Sequence, residues 1–180
     1  MNNPVQVLYE EHTIITNAID IAREASALIG KDNAQYESTI RKLITFFREY
    51  ADGFHHQKEE TILFPAIAKK NEMLAEGIIF EMNENHEDFR EKVGMIENCL
   101  NVEDYPKAQK IMERYTEALL DHIAAENEEL FNIATTILDE HELNTMHFQF
   151  IDCDRELGDS KKLELVEMAS GLRAALMMAE

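Results

Sequence analysis

At 180 residues the chain is long enough for one domain with a sizeable core. Hydrophobic residues at 45% and charged residues at 29% make a globular balance, without the apolar run of eighteen or more that a membrane span requires. A net charge of -19 repels phosphate backbones and anionic lipid, so neither nucleic acid nor membrane is an expected partner.

Six glycines and three prolines interrupt the chain, and apolar residues recur at three and four positions rather than two, which predicts an all-α fold. A first helix is expected from Pro4 to Gly30, with Leu8, Ile15, Ile19 and Ala22 on one face. After a KDN turn, a second runs from Ala34 to Phe64, where Pro65 kinks it or begins its end. A third spans Leu74 to Leu100, and the polar stretch NVEDYP then forms a loop. The fourth runs from Lys107 to Leu138. Beyond it lie a weaker helical piece over Asn144 to Asp154 and a clearer one from Lys161, with Leu165, Met168, Leu172 and Leu176 in register.

Short connections between long helices favour antiparallel neighbours, so the expected architecture is an up-down-up-down four-helix bundle over residues 1–138. Residues 139–180 are expected to form a helical extension, packed on the bundle or at a homodimer interface. The amino terminus has neither the basic start nor the apolar stretch of a secretory signal, so a cytoplasmic address is expected. Cys99 and Cys153, far apart and in no CxxC spacing, are expected to be free thiols.

The chain repeats itself. Aligning HHQKEETILF (55–64) with HIAAENEELF (122–131) superposes His55 on His122, Glu59 on Glu126, Leu63 on Leu130 and Phe64 on Phe131. Residues four apart share a helix face, so His55 with Glu59 and His122 with Glu126 are two nitrogen and oxygen pairs. Their columns are apolar: Ile44, Phe47, Ala51 and Ile62 beside the first, Ile111, Tyr115, Leu119 and Leu130 beside the second. His12 lies among Leu8, Ile15 and Ile19, and His86 among Ile79, Met82, Phe89 and Val93. All four histidines therefore face inward.

Burying two carboxylates with four imidazoles costs several kcal/mol per uncompensated ion, so the pattern makes sense around a cation. Imidazole and carboxylate without thiolate suit iron, with manganese and zinc as alternatives. If both glutamates bridge and an oxo or hydroxo group adds a further bridge, two Fe ions each keep one open position for a small diatomic ligand or peroxide.

HHQKEETILFP and DHIAAENEELF, preceded by YEEH and NENH, make the chain resemble the hemerythrin-like HHE cation-binding family over about residues 5–138. The resemblance implies that His12, His55, His86 and His122 are terminal ligands and that Glu59 and Glu126 bridge, with no separate catalytic residue. Oxygen-carrying hemerythrins place a second histidine one turn from the one matching His86, where this chain has Met82. They also end on an aspartate five residues after its histidine, where this chain has HxxxE twice. The resemblance is thus to the bacterial members and to di-iron proteins of iron-sulfur repair, although the cysteine-bearing amino-terminal domain common in the latter is not expected here. Expected roles are binding or sensing of O2, NO or peroxide with an unidentified redox partner, or repair or peroxide turnover, or an iron reservoir or scaffold.

Several residues are weighed against this set. His56 with Glu60 is a rival register, but its column of Thr45, Glu49 and Asp52 reads as wet and the repeat matches His55 with His122, so solvation or an outer-shell role is expected. A ferritin-type Glu three residues before His occurs at none of the four inward histidines. His141 and His147 are expected at the surface or in packing. Tyr9, Tyr50 and Tyr115 are expected to pack in the core, with lining the pocket and donating to a bound ligand as the alternative, and Glu11 and Glu87 to be exposed unless they turn inward.

Overall fold

The computed structural model describes residues 3–177, so residues 1–2 and 178–180, at the ends of the two expected regions, lie outside the described residues. Six helices follow one another among the described residues. Helix α1 spans Pro4–Glu24, capped by the Asn3 side chain with Pro4 in its first turn, and tightens into a short turn over Ala25–Leu28. Helix α2 runs over residues 33–70 from an Asp32 cap. It widens into π-type turns over Phe47–His56 and Glu59–Leu63 before ending as Phe64–Lys70.

Pro65 therefore does not stop α2. It follows directly on the wide turn, where its missing N–H falls at a place in which the regular ladder is already broken. Helix α3 is Phe80–Asn101 in its unbroken part and is entered through helical turns over residues 72–79, kinked at Gly77 (φ −100°, ψ −108°), so helical structure begins close to the expected start at Leu74. Helix α4 covers residues 105–137, with an Asp104 cap, Pro106 in the first turn and a π-type turn at Glu126–Leu130. Helix α5 (Glu140–Leu157) opens on a reciprocal capping box between Asp139 and Glu142, and α6 (Asp159–Met177) follows it. Both exceed the expected helical pieces. Gly158, at φ 106°, makes the tight turn between them, a conformation that costs other residues strain.

The buried residues form two apolar clusters, and the chain passes between them in alternate directions. Along α1 the order is Leu8 in one cluster, His12, then Ile15 in the other; along α2 it reverses, from Phe54 through His55 and Glu59 to Leu63. Helix α3 passes from Met82 through His86 to Phe89, and α4 from Ile123 through Glu126 to Leu130. This alternation is the up-down-up-down bundle, and it leaves a polar band sandwiched between two dry layers. Helix α1 packs on α2 and α4, and α3 on α2 and α4, closing the ring.

The α5–α6 hairpin packs against α1 and α2. Met146 and Phe150 join one apolar cluster, and Leu165, Ala169, Leu172 and Leu176 join the other. Truncating Phe150, which is 1% exposed, to Ala is expected to destabilise the fold by about 3–5 kcal/mol, read from urea unfolding midpoints. An unchanged midpoint would mean that the hairpin contributes no packing energy. No helix among the described residues is long and apolar enough to cross a membrane. Cys99 and Cys153 are free.

Candidate metal centre

Two groups of donor atoms lie in the polar band, and they share a residue. His12, His55, Glu59 and Glu126 form one; His56, Glu59, His86 and His122 form the other, with all donors of each group within 4.8 Å of one another. Glu59 Oε1 is 3.4 Å from His55 Nε2 and its Oε2 is 3.6 Å from His86 Nε2, so the two oxygens face different histidine sets. Glu126 Oε2 lies 3.2 Å from His12 Nε2 and 3.4 Å from His122 Nε2. Each carboxylate thus stands between the two halves. The six residues expected from the sequence are brought together.

Local backbone geometry helps to aim them. Glu59 and Glu126 each begin a π-type turn, Glu59–Leu63 and Glu126–Leu130, at equivalent places in the two repeats. Such wide turns are rare in helices and concentrate at functional sites.

Each imidazole turns one nitrogen outward and the other to the centre. Nδ1–H of His55 donates to Glu11 Oε2 at 3.0 Å, that of His86 to Glu60 Oε1 at 2.7 Å, and that of His12 to Asn127 Oδ1 at 2.8 Å. His56 Nδ1 faces Asp52 Oδ1 at 3.4 Å, and His122 Nδ1 faces the Asn85 side-chain amide at 3.4 Å. The outer acceptors on His12, His55, His56 and His86 fix the tautomer that leaves the Nε2 lone pair free for a cation, whereas the group facing His122 is the Asn85 amide Nδ2, a donor.

Inside, the polar atoms lack partners. His12 Nε2, His56 Nε2 and all four carboxylate oxygens of Glu59 and Glu126 are buried without a hydrogen bond. His86 and His122 bring their Nε2 atoms within 3.1 Å of each other. Buried polar groups are normally satisfied, and two orphaned carboxylates among five imidazoles are costly unless a cation joins them. The donor set contains no sulfur. It fits the nitrogen and oxygen sites of iron, manganese or zinc.

Burial holds His55, His56 and His122 well below the ordinary imidazole range, and lowers His12 and His86 despite nearby carboxylates. Neutral imidazole is the form that binds metal. Burial pushes Glu59 well above the carboxylate range, with the Glu126 charge adding to it, and burial raises Glu126 too. Both shifts describe the cost of holding these carboxylates without a cation.

A family model, the Hemerythrin HHE cation binding domain, matches residues 3–134 of the chain. The chain belongs to this hemerythrin HHE family. Searches among curated proteins and among solved structures gave no match. Residues 3–134 of the hemerythrin domain carry every donor of both groups, whereas α5 and α6 lie beyond the matched segment.

Two residues in this hemerythrin domain, His56 and Glu11, depart from expectation. His56, expected on a wet face, is 2% exposed, stacks on His86 with ring centroids 3.7 Å apart and belongs to the second donor group. The reason is the π-type backbone over Phe47–His56, whose wider turns break the 3.6-residue phase from which the wet column was drawn. A signal did exist, since the repeat places buried Ile123 opposite His56. Met82 packs in an apolar cluster, so the additional histidine comes from α2 instead of α3. Glu11 is buried against His55 rather than exposed, whereas Glu87 is exposed as expected. Lys58, wholly buried beside Glu11, has Ala125 as its repeat counterpart and carries no periodic signal.

Arg90 organises the outer side of the second group. Its guanidinium donates to Asp52 at 2.9 Å, to Glu60 at 2.6 Å and to Glu87 at 2.8 Å, and so clamps the two carboxylates that face His56 and His86. Burial would raise Asp52 and Glu60, but hydrogen bonds from these histidines and Arg90 hold both below their ordinary values. A small cleft lined by Phe47, Asp52, His56, Phe89, Arg90 and Val93 opens beside this clamp. His141 is exposed and His147 half-buried, and neither joins a donor group. The Tyr9 hydroxyl donates to the Asn127 carbonyl at 2.9 Å, Tyr115 packs edge-on to Phe47 and Phe89, and the buried Tyr50 hydroxyl has no partner.

Proposed function

We propose that this hemerythrin-family chain holds two iron ions between its shared glutamates and uses them to bind or sense a small diatomic molecule, O2 or NO, or peroxide. The observation that carries the reading is Glu59, 0% exposed, with its two unpartnered oxygens turned toward two different sets of buried histidines. One ion would satisfy only one set. Two irons there would supply a change of redox state and Lewis-acidic positions open to a small ligand.

The chain's own residues make the halves unequal. His12, His55 and one oxygen from each glutamate give four donors, whereas His56, His86, His122 and the same two carboxylates give five. The sequence alone suggested equal openness; with His56 counted, the His12/His55 half is the more open. His12 stacks on Phe131 with centroids 5.4 Å apart, and Leu8 and Ile15 lie on either side of it along α1, so this half has an apolar wall on its His12 side. Such a wall excludes water and favours an uncharged or singly charged small ligand.

Protein purified without air and loaded with ferrous iron is expected to carry two irons per chain, with absorption that changes on adding nitric oxide. His56→Ala, which leaves its half four donors like the other, is expected to weaken one of the two irons, and His141→Ala to leave both unchanged. One zinc per chain, or a single iron that His56→Ala does not affect, overturns the reading. Spectra that reverse on removing O2 favour carriage or sensing; catalytic loss of peroxide assigns turnover instead.

A further inference from the structure

Lys58 and Lys162 approach the outer wall of the centre from distant parts of the chain and meet the same two carboxylates. Lys58 Nζ donates to Glu11 Oε1 and Asp154 Oδ1, each at 2.6 Å, and Lys162 Nζ donates to Glu11 Oε1 and Asp154 Oδ2, also at 2.6 Å. The four charges alternate and cancel. The other oxygen of Glu11 accepts the Nδ1–H of His55. Each corner of this ring comes from a different helix: Glu11 from α1, Lys58 from α2, Asp154 from α5 and Lys162 from α6. Two corners therefore lie outside the segment matched by the family model.

We propose that the α5–α6 hairpin is a clamp on the metal centre: Asp154 and Lys162 complete the buried ring that holds Glu11 against His55, so that hairpin docking and cation binding at the His12/His55 half strengthen each other. The proposal rests on the reading of His55 as a cation donor. Asp154 and Lys162 are positioning residues, since they reach His55 only through Glu11.

Lys58 is wholly enclosed, and a buried ammonium tolerates enclosure only while its carboxylate partners stay in place. With Lys162 removed, Glu11 Oε1 loses one of its two donors and must share the single remaining ammonium with Asp154; with Asp154 removed, two ammonium groups draw on Glu11 alone; in both cases Glu11 is no longer held where it meets His55. An imidazole that loses its outer acceptor loses its fixed tautomer and part of its basicity toward a cation. Linkage then makes the effect mutual: whatever the docked hairpin adds to cation affinity, the bound cation adds to docking. The hairpin is thus a part of the chain whose attachment reports on metal supply. Its packing on α1 and α2 gives a two-state element for such a signal, docked or released.

The test uses the full chain, titrated with ferrous iron under nitrogen against a competing chelator, with amide hydrogen exchange of the hairpin followed with and without iron. Lys162→Gln and Asp154→Asn are expected to weaken one of the two irons about 10–100-fold while both still bind at saturation. Lys161→Gln removes the same charge one residue away, from a surface pair with Glu49 at 3.1 Å, and is expected to change nothing. Lys162→Arg is expected to restore most of the affinity. Iron is expected to slow exchange over residues 140–177 in the parent and in Lys161→Gln, and to do so much less in Lys162→Gln. If Lys162→Gln binds both irons as the parent does, or if iron leaves hairpin exchange unchanged, the clamp is wrong while the two-iron reading stands. A parent chain that takes up no iron removes both. Should Asp154→Asn not fold, the Lys162→Gln and Lys162→Arg pair decides, because the Lys162 side chain is 21% exposed and tolerates exchange.

Discussion

Glu59→Gln is expected to empty both halves of the centre and, in the same protein, to raise the stability of the metal-free form. The two effects have one cause. Glu59 is the residue common to both donor groups, and its oxygens face His55 and His86. An amide of the same shape keeps the packing but cannot supply two anionic oxygens, so iron content should fall from two per chain toward none. His12→Ala, which touches one half only, should leave one. In the metal-free state the same carboxylate is buried without a partner, and such groups cost about 1–3 kcal/mol or more. Replacing it is therefore expected to raise the urea midpoint of the chelated protein.

The gain should also grow with pH. Burial raises the Glu59 pKa in the folded metal-free chain above its ordinary value of 4.5, so the native state holds a proton that the unfolded state has released. Stability of the parent then falls as pH rises above that value, and Glu59→Gln removes its share of this slope. Iron analysis and paired unfolding curves at two pH values check both signs. A variant that retains two irons, or that is less stable than the parent without metal, would sink the assignment of Glu59.

Removal of iron by a strong chelator is expected to lower the melting temperature by on the order of 15–30 °C. Binding to the native state alone contributes about 4 kcal/mol for each ion at a free concentration a thousandfold above its Kd. For a chain of this size each kcal/mol shifts the midpoint by about 2–4 °C. The bundle should nevertheless stay folded below the new midpoint, because the two apolar clusters on either side of the polar band do not depend on the cation. Loss is expected to be local, in the π-type turns at 47–56, 59–63 and 126–130, where exchange should rise most. Calorimetry with far-ultraviolet circular dichroism measures both. An unchanged melting profile would show that the buried donors are not held by a cation, and complete unfolding on chelation would show that the apolar layers are insufficient alone.

The six expected donors were legible because each sits on an apolar column at helical spacing and because the HxxxE pair occurs twice. A repeat is stronger evidence than a motif, since independent packing gives no reason for His55 and Glu59 to be echoed by His122 and Glu126. His56 escaped because the column argument assumes 3.6 residues per turn, and the backbone abandons that period over Phe47–His56. Reading the repeat one position further would have found it, through Ile123. Lys58 was not legible in either way. A lysine beside a metal motif reads as solvated unless the chain that covers it is known.

Sequence by itself determined the helical class, the antiparallel order of the first four helices and the inward-facing histidines and glutamates, because these follow from local periodicity and short connections. Tertiary structure decided what lies around them. Only the packing of α5 and α6 on α1 and α2 brings Asp154 and Lys162 to Glu11, across 143 and 151 positions of chain, and only the wide turns rotate His56 into the centre. The physical reason is range: periodicity reports which face of a helix is dry, whereas charge partners and the local pitch are chosen by whatever packs against that face.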